Sequence, residues 1–237
     1  MLRILLVRIS ALSTHPGGGL LLLDCTRSVQ GSRMGFYQDR ILPWLTHLAM
    51  RQAQLVPYRT RVASGATGRV LEMGIGPGLN LPFYGSGVEQ IIGLDPSPRL
   101  LDIARDAGRT SMAPLELIEG TAEAIPLETA SIDTVVTTWT MCSIPDIDRA
   151  LSEARRVLKP GGKLLFVEHG RAPEPSMQWW QDHLTPPWKR LAGGCHLNRP
   201  IAELIGNNGF AVEDLQLGYM PGPKPMAFIY EGQAAPR

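Results

Sequence analysis

The sequence predicts a doubly wound α/β domain. Its sheet should have seven strands, mostly parallel, with an antiparallel C-terminal hairpin strand. Three observations carry this. Five short apolar runs alternate with helix signals between residues 68 and 169, and near-continuous apolar runs mark strands buried on both faces. The first run ends in a cluster of glycines. Two further runs close the chain with only the turn segment 218–224 between them, too short for a helical crossover, so they must pair antiparallel.

The first run is Gly68-Arg-Val-Leu-Glu-Met-Gly74 and the second Gln90-Ile-Ile-Gly-Leu-Asp95. Ser97-Pro98 then reads as an N-cap followed by a proline at the first helical position, opening a helix over 99–107. Leu115–Glu119 is the third run and Asp133–Thr138 the fourth. Asp146 caps a helix whose apolar positions Ile147, Ala150, Leu151, Ala154 and Leu158 keep helical spacing, and Pro160-Gly161-Gly162 ends it. Lys163–His169 is the fifth run; the closing pair is Phe210–Leu217 and Pro225–Tyr230.

A chain of 237 residues suits one domain with an appendage, and buries about three quarters of its unfolded surface without staples. Basic and acidic residues number 23 and 22, a net charge of +1, which lacks the basic footprint of a nucleic-acid binder. Three cysteines, Cys25, Cys142 and Cys195, form an odd set with no close pair, which points to a reducing, cytoplasmic setting. Residues 1–33 hold four arginines against one acid, and Arg8 and Asp24 break both leucine runs. Neither a secretory signal nor a transit peptide fits, so this stretch reads as an unstructured tail or as sequence upstream of a true start at Met34. Residues 34–67 read as cap helices: apolar residues at 41, 44, 45, 48 and 49 share one helical face. That face either packs on the core, or serves as a lid or a peripheral membrane contact.

The glycine-rich turn is Glu72-Met-Gly74-Ile-Gly76-Pro-Gly78. Glycines there let backbone approach a ligand at the carboxyl edge of the sheet. Asp95, 21 residues after Gly74, ends the second strand, where a carboxylate can accept both hydroxyls of a ribose. Leu79 occupies the third-glycine position of the dinucleotide fingerprint, and Glu72 would repel a pyrophosphate but suit a cationic ligand. This combination resembles the Rossmann-like class I S-adenosylmethionine-dependent methyltransferases, especially their type 11 branch, over residues 68–231. The resemblance implies that Glu72, Gly74, Gly76 and Gly78 hold the methionine part of the cofactor and that Asp95 binds its ribose. Gly120-Thr-Ala-Glu-Ala-Ile-Pro-Leu127 is similar to the adenine-bordering segment, with Thr121 in place of the usual acid beside Ala122; Thr138, at the end of the fourth strand, completes the set.

Cys142-Ser-Ile-Pro, Glu168-His169, Trp180-Gln-x-x-Leu-x-x-Pro-Trp188 and Gly194-Cys-x-Leu-x-Arg199 resemble the subgroup that includes animal thiol methyltransferases. That implies methyl transfer to a small-molecule acceptor, with a thiol among the candidates. A quinone-precursor or phospholipid methyltransferase at the membrane surface, or a cofactor-binding protein without catalysis, stays open beside it. His169, at the end of the fifth strand, has the pKa of a base and is equally a histidine bonded to backbone. Cys142, Trp180, His183 and Trp188 are the candidate acceptor pocket, the last three on a 171–199 insertion that should cap the cleft; Cys142 also reads as a buried small hydrophobe, and the insertion's aromatics as packing against the core. Cys195, His196 and His183 lack regular ligand spacing, so no metal is expected. Oligomeric state is not written in the sequence.

Overall fold

The computed structural model describes residues 42–237. The tail at 1–33, Cys25 and the segment from Met34 to Ile41 lie outside the described residues. Two helices come first, α1 (Leu42–Met50) and α2 (Val56–Ser64). β1 (Gly68–Met73), β2 (Val88–Asp95), α3 (Pro98–Ala107), β3 (Leu115–Glu119), β4 (Ile132–Thr138), α4 (Ile147–Val157) and β5 (Leu158–His169) follow. The chain closes with α5 (Pro175–Leu191), α6 (Ile201–Asn207), β6 (Phe210–Tyr219), the single turn α7 (Lys224–Ala227) and β7 (Phe228–Pro236).

All seven strands form one sheet in the order β3-β2-β1-β4-β5-β7-β6. β1 to β5 are mutually parallel, and β7 is antiparallel to both of its neighbours, β5 and β6. The strand order reverses between β1 and β4, and such a switch point opens a crevice at the carboxyl ends of the strands. The alternating side-chain directions of a strand explain the two-sided apolar runs. Leu71 and Met73 of β1 join one core layer with α4 and α6, while Val70 joins the other with α2 and α3.

Local chemistry sets the helix boundaries. Ser97 Oγ accepts the Leu100 N–H at 3.4 Å to open α3, and Asp146 Oδ1 accepts the Arg149 N–H at 3.1 Å to open α4. On α4 the stripe Ile147, Ala150, Leu151, Ala154 and Val157 is buried. Among the described residues no helix is long and apolar enough to cross a membrane.

Several boundaries differ from the sequence expectation, and three have a clear local cause. β5 starts at Leu158 rather than Lys163: Leu158 already pairs with Ile132, and the Pro-Gly-Gly turn is absorbed at a register shift. β7 starts at Phe228, because α7 takes up residues 224–227. The 171–199 insertion contains the 17-residue α5, which runs through Pro186 and Pro187. Both prolines lie on the exposed side of α5, so the carbonyls they leave unbonded can take water. α1 does not lay its expected face on the core: Trp44 and Leu48 are 61% and 57% exposed.

Candidate active site

Where β1 and β4 end, the chain turns sharply at Gly74. Its φ is +71°, and any Cβ there would overlap the Thr140 side chain. The Gly74 and Ile75 amides donate to the Leu94 carbonyl at 2.8 and 3.1 Å, which ties the loop to β2. The next amide, Gly76, donates to Asp95 Oδ2 at 3.0 Å, and the Ser97 amide donates to Asp95 Oδ1 at 2.8 Å. Burial raises the Asp95 pKa, and those two amides work against that rise. Each oxygen therefore spends one lone-pair direction on backbone and keeps another for a ligand.

This edge opens into a cleft of about 750 Å³. Gly74, Gly76, Asp95, Thr121, Ala122 and Thr138 line it. Glu72 and Gly78 do not. Gly78 lies against Leu81 and Ala104, where a Cβ would overlap the Leu81 side chain at 2.7 Å and crowd the Ala104 Cα at 3.2 Å. Glu72 is buried one layer behind the cleft and accepts Asn80 Nδ2 and Tyr84 OH, each at 2.7 Å. Burial pushes its pKa up to about 7, against the pull of Tyr84, Arg59 and Asn80.

The residue that does reach the cleft here is Arg59 of α2. Its Nη1 donates to Asn80 Oδ1 at 2.8 Å and to Thr138 Oγ1 at 3.3 Å, and Nη2 donates to the Met50 carbonyl at 3.3 Å. The guanidinium lies 5.0 Å from the centre of the Trp139 ring. Glu72 thus acts on the cleft through Asn80, holding a buried cation in its wall. Sequence reasoning missed Arg59, although a signal existed: it shares one face of α2 with Val62 and Ala63, at spacings of three and four.

The expected acceptor residues are not in the cleft. The period of α5 turns Gln181 and Thr185 inward and Trp180 outward, 51% exposed, edge-on to Trp179. His183 stacks on the Trp179 ring at 4.0 Å and bonds the Trp179 carbonyl at 2.7 Å. Trp188 packs beside Cys142, Cys195 and Leu197 behind the cleft wall. From the insertion, Ala192 and Gly193 line the cleft, and from the N-terminal helices Leu42, Pro43, Thr46 and Met50 do so with Arg59.

His169 is buried, and its Nε2 faces Cys195 Sγ at 3.2 Å rather than the cleft. Cys142 completes the cluster, with the three donor atoms within 4.8 Å of one another. A hydrogen bond from Cys195 holds the Cys142 thiol well below its usual range despite burial, with His169 adding to the effect. Burial is the largest influence on the His169 pKa and lowers it, but the charge and hydrogen bond of Cys142 together with Glu168 leave it raised. Glu168 accepts Thr137 Oγ1 at 2.6 Å and the Thr140 and Met141 amides at 3.0 and 3.1 Å, fixing the loop after β4.

Residues 71–166 match the model of a family described as a methyltransferase domain. The chain is 34% identical over 168 residues to a thiol S-methyltransferase of Homo sapiens, an alignment covering 68% of this chain and 67% of that protein. It is 34% identical over 158 residues to a thiol S-methyltransferase of Rattus norvegicus, covering 65% and 64%. The chain thus spans about two thirds of the length of these curated relatives. The crystal structure of the YcgJ protein from Bacillus subtilis shares the fold, with a TM-score of 0.61 at 18% identity over 76% of this chain and 94% of that one.

Proposed function

This chain belongs to the S-adenosylmethionine-dependent methyltransferase family, and from that premise we propose that it moves a methyl group from S-adenosylmethionine to a small thiol. The observation that carries the donor half is the cleft at the β1–β4 switch point, with the unspent oxygens of Asp95 on its floor. Its volume suits a cofactor-sized ligand. The residues present fit the group: Asp95 for the ribose hydroxyls, backbone at Gly74 and Gly76 for close approach, the Thr121 hydroxyl for the adenine amine, and the Arg59 cation for a carboxylate. Glu72 supports this through Asn80 and Arg59 instead of touching the ligand.

When bound, the sulfonium supplies an already activated methyl group. The protein's share is then to orient donor and acceptor, a contribution of about 7–11 kcal/mol for well-aligned partners. Among the described residues that line the cleft there is no histidine, cysteine, lysine or tyrosine, and of its two carboxylates Asp95 is given to the ribose, which leaves Glu123 as the one free candidate base. That favours an acceptor needing no protein base, and a thiol with a pKa near 8.5 is partly ionised at neutral pH. α1 and α2 form the cap through Leu42, Pro43, Thr46 and Arg59.

A second reading has one observation in its favour. Trp44 and Leu48, exposed on α1 beside cleft-lining Pro43 and Thr46, suit an acceptor drawn from a lipid surface, such as a quinone precursor or a phospholipid. Turnover measured with and without anionic vesicles separates the readings, since a thiol enzyme needs no vesicle for turnover. The buried free thiols Cys142 and Cys195 suit a reducing, cytoplasmic setting.

Calorimetric titration tests the donor half. S-adenosylmethionine should bind one per chain while NAD shows no heat at the same concentrations. NAD binding without S-adenosylmethionine binding would overturn the reading.

A further inference from the structure

We propose that Cys142, His169 and Cys195 form a binding site for a thiophilic d10 divalent cation, Zn²⁺ by ligand chemistry, held through both sulfurs and His169 Nε2. The three residues come from separate segments: the loop after β4, the end of β5, and the loop after α5. No linear spacing betrays them, yet the fold gathers their donor atoms within 4.8 Å of one another. A tetrahedral zinc ion with Zn–S of about 2.3 Å and Zn–N of about 2.0–2.1 Å separates its ligand atoms by roughly 3.5–3.8 Å. The observed cluster reaches that geometry with shifts of about an ångström or less.

Backbone ties around the two cysteines are in place, while His169 Nδ1 is buried without a partner. The His196 amide donates to the Cys142 carbonyl at 2.8 Å, and its Nδ1 lies 3.1 Å from the same oxygen, so the two cysteine loops are tied together. Arg199 donates to the Met141 and Ile144 carbonyls on either side of Cys142. Glu168 spends its oxygens on Thr137, Thr140 and Met141, so it orients the loop instead of ligating. Ligation by two sulfurs and an imidazole selects zinc-like ions over calcium or magnesium. The ion's +2 charge balances the two thiolates, and binding releases the thiol protons to solvent. Three protein donors leave the fourth position for water or an exogenous ligand. The ion would cross-link the loops that contribute Ser143 and Gly193 to the cleft wall.

The test uses the full chain, reduced, chelator-treated and titrated with Co²⁺, with absorption as the readout. One Co²⁺ per chain should bind, giving thiolate-to-cobalt charge-transfer bands in the near ultraviolet and tetrahedral bands in the visible. Added Zn²⁺ should erase both. Cys195→Ser should reduce the charge-transfer intensity per bound cobalt to about half, because one of two sulfurs is gone. Absence of charge-transfer bands in the folded, reduced wild type would overturn the site. So would a Co²⁺ spectrum unchanged by both Cys195→Ser and His169→Ala. The wild-type titration decides the matter even if the variants fold poorly.

Discussion

Asp95 is placed by two amides and still has oxygen lone pairs facing the cleft. Asp95→Ala should weaken S-adenosylmethionine binding by about 1.5–3 kcal/mol, the range for hydrogen bonds to a charged group, measured by calorimetry on the folded variant. Glu72 makes a prediction of a different kind. Burial raises its pKa to about 7, above the ordinary carboxylate range, so the native state holds a proton that the unfolded chain has lost. The associated stability is fully present below that ordinary range and is lost as pH rises through about 7. Glu72→Gln cannot ionise, so the variant's urea midpoint should fall less steeply between pH 4.5 and 7 than the wild type's; parallel curves would contradict the assignment. At this scale the glycine loop and Asp95 were readable because backbone strain and a strand-end carboxylate leave local marks. The inward side of Arg59 was readable from its spacing to Val62 and Ala63, but its role was not, because that depends on Asn80 and Thr138, 21 and 79 residues away.

At the scale of elements, α5 shows where local rules mislead. Two consecutive prolines argue against a helix interior, yet the helix persists because it is docked by buried side chains. Gln181 accepts the Ala172 amide at 2.9 Å and donates to the carbonyls of Gly170 and Pro225 at 2.9 and 3.1 Å; Thr185 Oγ1 accepts the Leu197 amide at 3.3 Å. Gln181→Ala should strand the first three groups and cost about 3 kcal/mol or more in chemical denaturation, given about 1–3 kcal/mol for each buried unpaired group. A loss under about 1 kcal/mol would mean that water replaces the side chain. The tryptophan-rich composition of 171–199 suggested a pocket wall, but helical phase decided otherwise, turning Trp180 and His183 away from the cleft. Phase cannot be assigned before the helix itself is recognised.

At the scale of the molecule, the alternation of apolar runs and capped helices made the doubly wound sheet readable, and the short final turn made β6 and β7 antiparallel neighbours. The sheet edge that receives β7 was not readable. Nothing local in Phe228–Pro236 specifies pairing with β5, and only the completed sheet exposes that edge. The convergence of Cys142, His169 and Cys195 has the same origin, since it exists only once β4, β5 and α5 are assembled. The most direct test of the central claim is transfer of a labelled methyl group from S-adenosylmethionine to small thiols, phenols, quinols and amines under one set of conditions. A methyl thioether should be the main product, with one S-adenosylhomocysteine per methyl transferred and a rate that rises with pH as the thiol ionises. Methylation of a quinol or an amine with every thiol left untouched would contradict that claim.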